Sequence, residues 1–157
     1  LPGARFPDRI ARPLRLDFGP DLERGIAAYP PTAGAPYHTR VSAIDADGNE
    51  VAGIRPPELA APLATFTGWN PRHPEQGAPG DLMSMMGSTL PFPPTRAERE
   101  RTGDPRPSIA ERYPSRAAYL ERVCEVTQRL VAARHVLAAD VEAIVERAER
   151  LWDWVHA

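Results

Sequence analysis

The sequence predicts an α+β architecture. A loop-rich first part, residues 1–94, holds short strands and a hairpin, and a helical second part, residues 95–157, ends in an antiparallel helix pair. Three observations lead there. All 19 Pro and 11 Gly lie between Pro2 and Pro114, so the last 43 residues are free of both helix breakers. Two capping boxes, Thr95-Arg96-Ala97-Glu98 and Ser108-Ile109-Ala110-Glu111, mark helix starts in the second part. Beyond Ser115, apolar residues recur at a period of 3.6.

Taken in order, Pro13-Leu14-Arg15-Leu16-Asp17-Phe18 alternates apolar and polar side chains, the pattern of a half-buried strand, and Gly19-Pro20 ends it. The Pro- and Gly-rich stretch 29–36 favours extended or polyproline backbone. Residues 41–44 and 51–54 are expected to pair around Asp45-Ala46-Asp47-Gly48-Asn49, because Asp bonds local N–H groups and Gly accepts a positive φ. A calcium loop would require Gly at its sixth position and Glu at its twelfth; counted from Asp45, Gly48 is fourth and Pro56 twelfth, so the segment reads as a turn. Pro56-Pro57 breaks the second strand. Residues 62–69 read as extended, 71–80 as a surface loop, and Gly87-Ser88-Thr89-Leu90 as a linker turn before Pro91, Pro93 and Pro94.

The first helix runs from its cap at Thr95 to Gly103, a second short one from Ser108 to Pro114. Ser115 caps a third helix reaching about Arg134, with Leu120, Val123, Cys124, Thr127, Leu130 and Val131 on one face. A fourth, from about Asp140, carries Val141, Ile144, Val145, Ala148, Leu151, Trp152 and Val155 on one face. The short link 135–139 folds the two back on each other.

Composition limits the function. A net charge of −2 offers no bulk attraction to nucleic acid or anionic lipid, and no apolar run approaches a membrane span. One cysteine, Cys124, excludes an internal disulfide and an all-Cys metal site; its place on a helix stripe makes it a core residue. All 19 basic residues are Arg, as a genome rich in G and C would encode. The start, Leu1-Pro2-Gly3, lacks the pattern of a signal peptide and suggests a processed or excised piece of a longer protein.

No Gly-x-Ser-x-Gly elbow, Gly-x-x-x-x-Gly-Lys loop or Gly-x-Gly-x-x-Gly loop occurs. His38, His73, His135 and His156 show no metal-ligand spacing and read as surface residues, His156 as part of a frayed end. The run from Arg96 to Arg112, five Arg against four acids, reads as a solvated helical surface. Phe66-Thr67-Gly68-Trp69-Asn70, with Met83, Met85 and Met86 close behind, mixes aromatic, thioether and polar groups as ligand pockets do, though gap-filling cores use the same mixture.

Five blocks together resemble the C-terminal region of the bacterial alpha/beta hydrolase domain-containing proteins. They are residues 14–20, 45–55 and 62–70, then Pro91-Phe92 with 95–99, and residues 103–113, in family order, and the similarity covers about Phe6 to Trp152. Longer members look like esterase-type hydrolases whose Ser elbow and His lie upstream of this region. The resemblance therefore implies a piece of a larger α/β hydrolase that itself contains no catalytic residue, metal or cofactor, and whose partner is the upstream catalytic domain. Phe66 stands where the family commonly has Tyr, and the 71–74 loop is individual. Trp69 and Asn70 are the candidate pocket residues, on the expectation that their loop approaches the substrate. The competing expectation is a non-catalytic module that docks a partner through its apolar helix faces, and any apolar patch left open would favour self-association.

Overall fold

The chain divides into two units, residues 12–41 and 42–157, among the residues 12–78 and 81–157 that the structure, a computed structural model, describes. In the first unit the alternating segment forms β1 (Leu14–Asp17), which pairs antiparallel with β2 (Thr32–Pro36) in the register Leu14↔Pro36, Leu16↔Ala33 and Asp17↔Thr32, with an irregularity between the first two pairs. Of the two expectations for this stretch, extended or polyproline backbone, residues 32–36 take the extended one, as a paired strand. A polyproline segment makes no ladder, and here β1 supplies one. Between the strands, the Asp17 carboxylate accepts from the Gly19 N–H at 2.8 Å, and Gly25 closes a 3₁₀ turn, Leu22–Arg24, at φ 79°. No residue from 12 to 41 is buried.

The second unit begins with the Asp-rich turn. The Asp45 carboxylate accepts from the N–H groups of Asp47 and Asn49, each at 3.0 Å, so the turn forms as expected. The strands expected on either side do not: one antiparallel bridge, Ile44↔Glu50, closes the turn. The reason lies in Asn49, which is fully buried and turned toward another partner, described below. A short helix, α1 (Pro57–Ala60), follows with Pro at its first position, where the missing N–H costs nothing.

β3 (Ala64–Thr67) and β4 (Ser88–Pro91) pair antiparallel, Ala64 opposite Pro91 and Thr67 opposite Ser88. The linker turn expected at 87–90 is therefore a strand. Gly87 permits it, since a Cβ there would lie 2.2 Å from the Thr67 carbonyl oxygen, a distance no side chain tolerates.

The helical part follows the caps. In α2 (Arg96–Thr102) the Thr95 hydroxyl accepts from the Glu98 N–H at 3.2 Å, and Gly103 ends the helix at φ 66°. In α3 (Ile109–Arg112) the Glu111 carboxylate accepts from both the N–H and the hydroxyl of Ser108. The Ser115 hydroxyl caps α4 (Arg116–Ala132) by accepting from the Ala118 N–H, and α5 (Val141–Val155) completes the chain. The two long helices run antiparallel: Arg116 at the start of α4 meets Glu149 and Asp153 late in α5, and Tyr119 stacks on Trp152 at 5.3 Å. His156 does not fray. Its ring stacks on Trp152 with centroids 4.4 Å apart.

The core gathers Ala61 and Leu63 before β3, Phe92 after β4, Ile109 of α3, Tyr119 and Val123 of α4, and Ala148 of α5; Leu120, Ile144, Leu151, Trp152 and Val155 pack around it. Cys124, expected inside, is only half-buried. Burial raises the Tyr113 hydroxyl pKa to about 12, and that hydroxyl donates to the Pro62 carbonyl at 3.2 Å. No helix among the described residues is long and apolar enough to cross a membrane.

Candidate functional site

Trp69 and Asn70 lie where the β3–β4 hairpin continues beyond its ladder. The Thr67 and Ser88 hydroxyls both donate to the Trp69 carbonyl, and the Met83 N–H donates to the Asn70 carbonyl at 2.8 Å. A bridge, Pro71↔Leu82, extends the pairing outward. The arm ends in a loop whose 3₁₀ turn, Pro74–Gln76, is capped by His73: its Nδ1 accepts from the Glu75 N–H. Trp69 and Asn70 are half-buried, and Met83 is brought against the Asn70 backbone. Met85 and Met86 are not drawn in. Met85 sits at φ 58° with its side chain fully in solvent, and Met86 and Leu82 are exposed as well. Phe66, Trp69 and Met83 are thus half-buried, while Met85 and Met86 face solvent.

The strongest polar organisation lies at the other end of the same hairpin. Arg106 is 3 % exposed, and every one of its five guanidinium N–H donors has an acceptor. Nε and Nη2 grip the Asp104 carboxylate at 2.9 and 2.6 Å; Nη1 donates to the Thr65 hydroxyl and the Leu90 carbonyl, and Nη2 also to the Pro91 carbonyl. The pair therefore ties the α2–α3 connection to both strands. The Arg106 hydrogen bonds hold the Asp104 carboxyl below the usual carboxylate range. Asp104 and Arg106 are thus a buried keystone, whereas Arg96, Glu100 and Arg101 of α2 form the solvated surface expected from the mixed charges.

The Asp-rich turn is fastened beside it. Asn49 presents its side-chain amide to the edge of β3 like another strand residue, donating to the Ala64 carbonyl and accepting from the Phe66 N–H at 3.0 and 2.8 Å. Asp47 takes a two-pronged hydrogen bond from Arg112, whose guanidinium also lies 4.2 Å over the Phe92 ring. Asp45 takes Arg55 at 2.8 Å. Sequence reasoning missed this clasp. The available signal was the run Asp104-Pro105-Arg106-Pro107, where prolines restrict the backbone around two charges that no helix can use.

The hydroxyl and imidazole groups of this part of the chain are engaged in local structure. The Ser88 hydroxyl donates to a carbonyl, Ser108 to Glu111, and Ser115 caps a helix; His73 caps a turn and His156 stacks on Trp152. Among these groups, no serine is placed against a histidine, the contact a serine nucleophile requires.

A protein-family model described as "Alpha/beta hydrolase domain" matches residues 21–146, most of the chain. The searches of curated proteins and of solved structures give no match.

Proposed function

The chain belongs to the alpha/beta hydrolase domain family, and from that premise we propose that it is the C-terminal region of an esterase-like hydrolase whose Ser-His-acid triad lies upstream. In that reading the upstream triad cleaves a carboxylic ester, and this region covers and braces the catalytic body. The observation that carries the reading is the surface of residues 12–41. Leu14, Leu16, Leu22, Ile26, Tyr29 and Tyr37 are all exposed there, and nothing is buried. A lone two-stranded ribbon is at best marginally stable in water, so this surface calls for a further layer. The upstream catalytic domain of the same polypeptide is the partner that family membership offers.

The extension of the β3–β4 hairpin is the proposed contributor to the substrate pocket, with Trp69 and Asn70 next to the ladder and Met85 and Met86 on the returning strand side. The rival reading, docking through helix faces, has little free surface to use: Leu120, Val123, Ile144, Leu151 and Val155 already pack on the core.

An assay with p-nitrophenyl acetate and butyrate tests the reading. This chain alone should give no saturable turnover, and joining it to the upstream segment should restore it; turnover by the chain alone would overturn the assignment. In the complete enzyme, Trp69→Ala should change KM or kcat severalfold with little change in Tm. Unchanged kinetics with a large loss of Tm would make Trp69 a packing residue.

A further inference from the structure

Guanidinium groups in residues 42–157 are commonly matched to a carboxylate, as in Arg55 with Asp45, Arg99 with Glu111, Arg106 with Asp104 and Arg147 with Glu58. At the open end of the β1–β2 ribbon that pattern breaks. Arg12 and Arg15 from one side, and Tyr37, His38 and Thr39 from the other, line a concave cavity of about 520 Å³, held together where the Tyr37 N–H donates to the Pro13 carbonyl at 3.0 Å. No carboxylate is among its described lining residues, and neither arginine has an ion pair or a side-chain hydrogen bond with a described residue.

The Arg15 guanidinium lies 5.2 Å from the centre of the Tyr37 ring. Stacking occupies the face of a guanidinium, while its N–H donors point outward in its own plane. The ring attracts the guanidinium through its face without accepting a hydrogen bond in the guanidinium plane, so it does not compete with an oxyanion for the donors. Two cations on one concave wall repel each other, and an oxyanion between them removes the repulsion while accepting charge-assisted hydrogen bonds from both.

We propose that this cavity is an oxyanion site, taking a small ligand through a carboxylate or phosphoryl group held between Arg12 and Arg15, with Tyr37 and His38 beside it. Its size falls within the range of small-molecule pockets, roughly 300–1,000 Å³. Because the walls are exposed, affinity is expected in the millimolar range. The proposal concerns the chain without the upstream domain, which would share the surface around Tyr37.

The test is an NMR titration of the ¹⁵N-labelled chain with inorganic phosphate and, separately, with acetate, chloride keeping the ionic strength constant. The N–H signals of Tyr37, His38 and Thr39 should shift saturably. Saturation by phosphate alone assigns a phosphoryl ligand, by acetate alone a carboxylate ligand, and by both a general oxyanion site. Arg15→Lys keeps the charge but loses the fork, and should weaken binding about tenfold. Arg12→Gln with Arg15→Gln should abolish saturation, while Arg129→Gln on α4 should change nothing. Shifts that stay linear in both titrations, or saturation that survives both Arg15→Lys and the double substitution, would overturn the proposal.

Discussion

Residues 42–157 bury Leu63, Phe92, Ile109, Tyr119 and Val123 almost completely, whereas residues 12–41 bury nothing although they carry Leu14, Leu16, Leu22, Ile26 and Tyr29. Apolar content is present in both regions; layers are not. The larger region places a hairpin among helices, so each element has a face to cover. The smaller is a two-stranded ribbon whose described residues have no second layer of their own unit. The same contrast holds for charge. Arg106 and Asp104 are enclosed with every guanidinium donor satisfied, while Arg12 and Arg15 face an open cavity. A side chain becomes structural here only when a second layer surrounds it.

Substitutions should reproduce that contrast, beginning with the largest effect. Arg106→Ala leaves Asp104 buried without its partner and removes the tie between two strands and a loop; it should cost about 3–5 kcal/mol in chemical denaturation. A cost below about 1 kcal/mol would show that the keystone is dispensable. Next comes acid. The folded-state pKa of Asp104 is lowered, so the stability it contributes is present above its unfolded value and lost as pH falls through the folded one. Tm should therefore decline below about pH 4, with a shallower decline in Asp104→Asn. An unchanged acid profile in that variant would remove Asp104 from the account. Thr95→Ala, which deletes one helix cap, should cost about 1 kcal/mol. Leu16→Ser in the ribbon should change stability by less than about 0.5 kcal/mol and reduce self-association in light scattering. A large loss from Leu16→Ser would mean that the ribbon has a core of its own.

How much could be read in advance follows from the range of the interactions. Thr95, Ser115 and Gly103 act within one helical turn, and the stripes of α4 and α5 repeat within a single segment, so local pattern sufficed. β2 and β4 become strands only because β1 and β3 lie beside them, and neither 29–36 nor 87–90 carries that partner in its own residues. The clasp is harder still, since Arg106 meets Thr65 across 41 positions and Arg112 meets Asp47 across 65. For the candidate site, sequence spacing located Trp69, Asn70 and Met83 together, but not the turn at Met85 that sends its side chain into solvent. A left-handed backbone at a methionine has no local signature.

The proposed function rests on the ribbon's exposed surface being covered by the upstream part of a hydrolase. Hydrogen exchange of the amides in 12–41, measured in this chain alone and again in the complete enzyme, tests it most directly. The account predicts rapid exchange in the isolated chain, beside slow exchange in α4 and β3, and strong protection of β1 and β2 once the catalytic domain is attached. Equal exchange of the ribbon in both settings would contradict it.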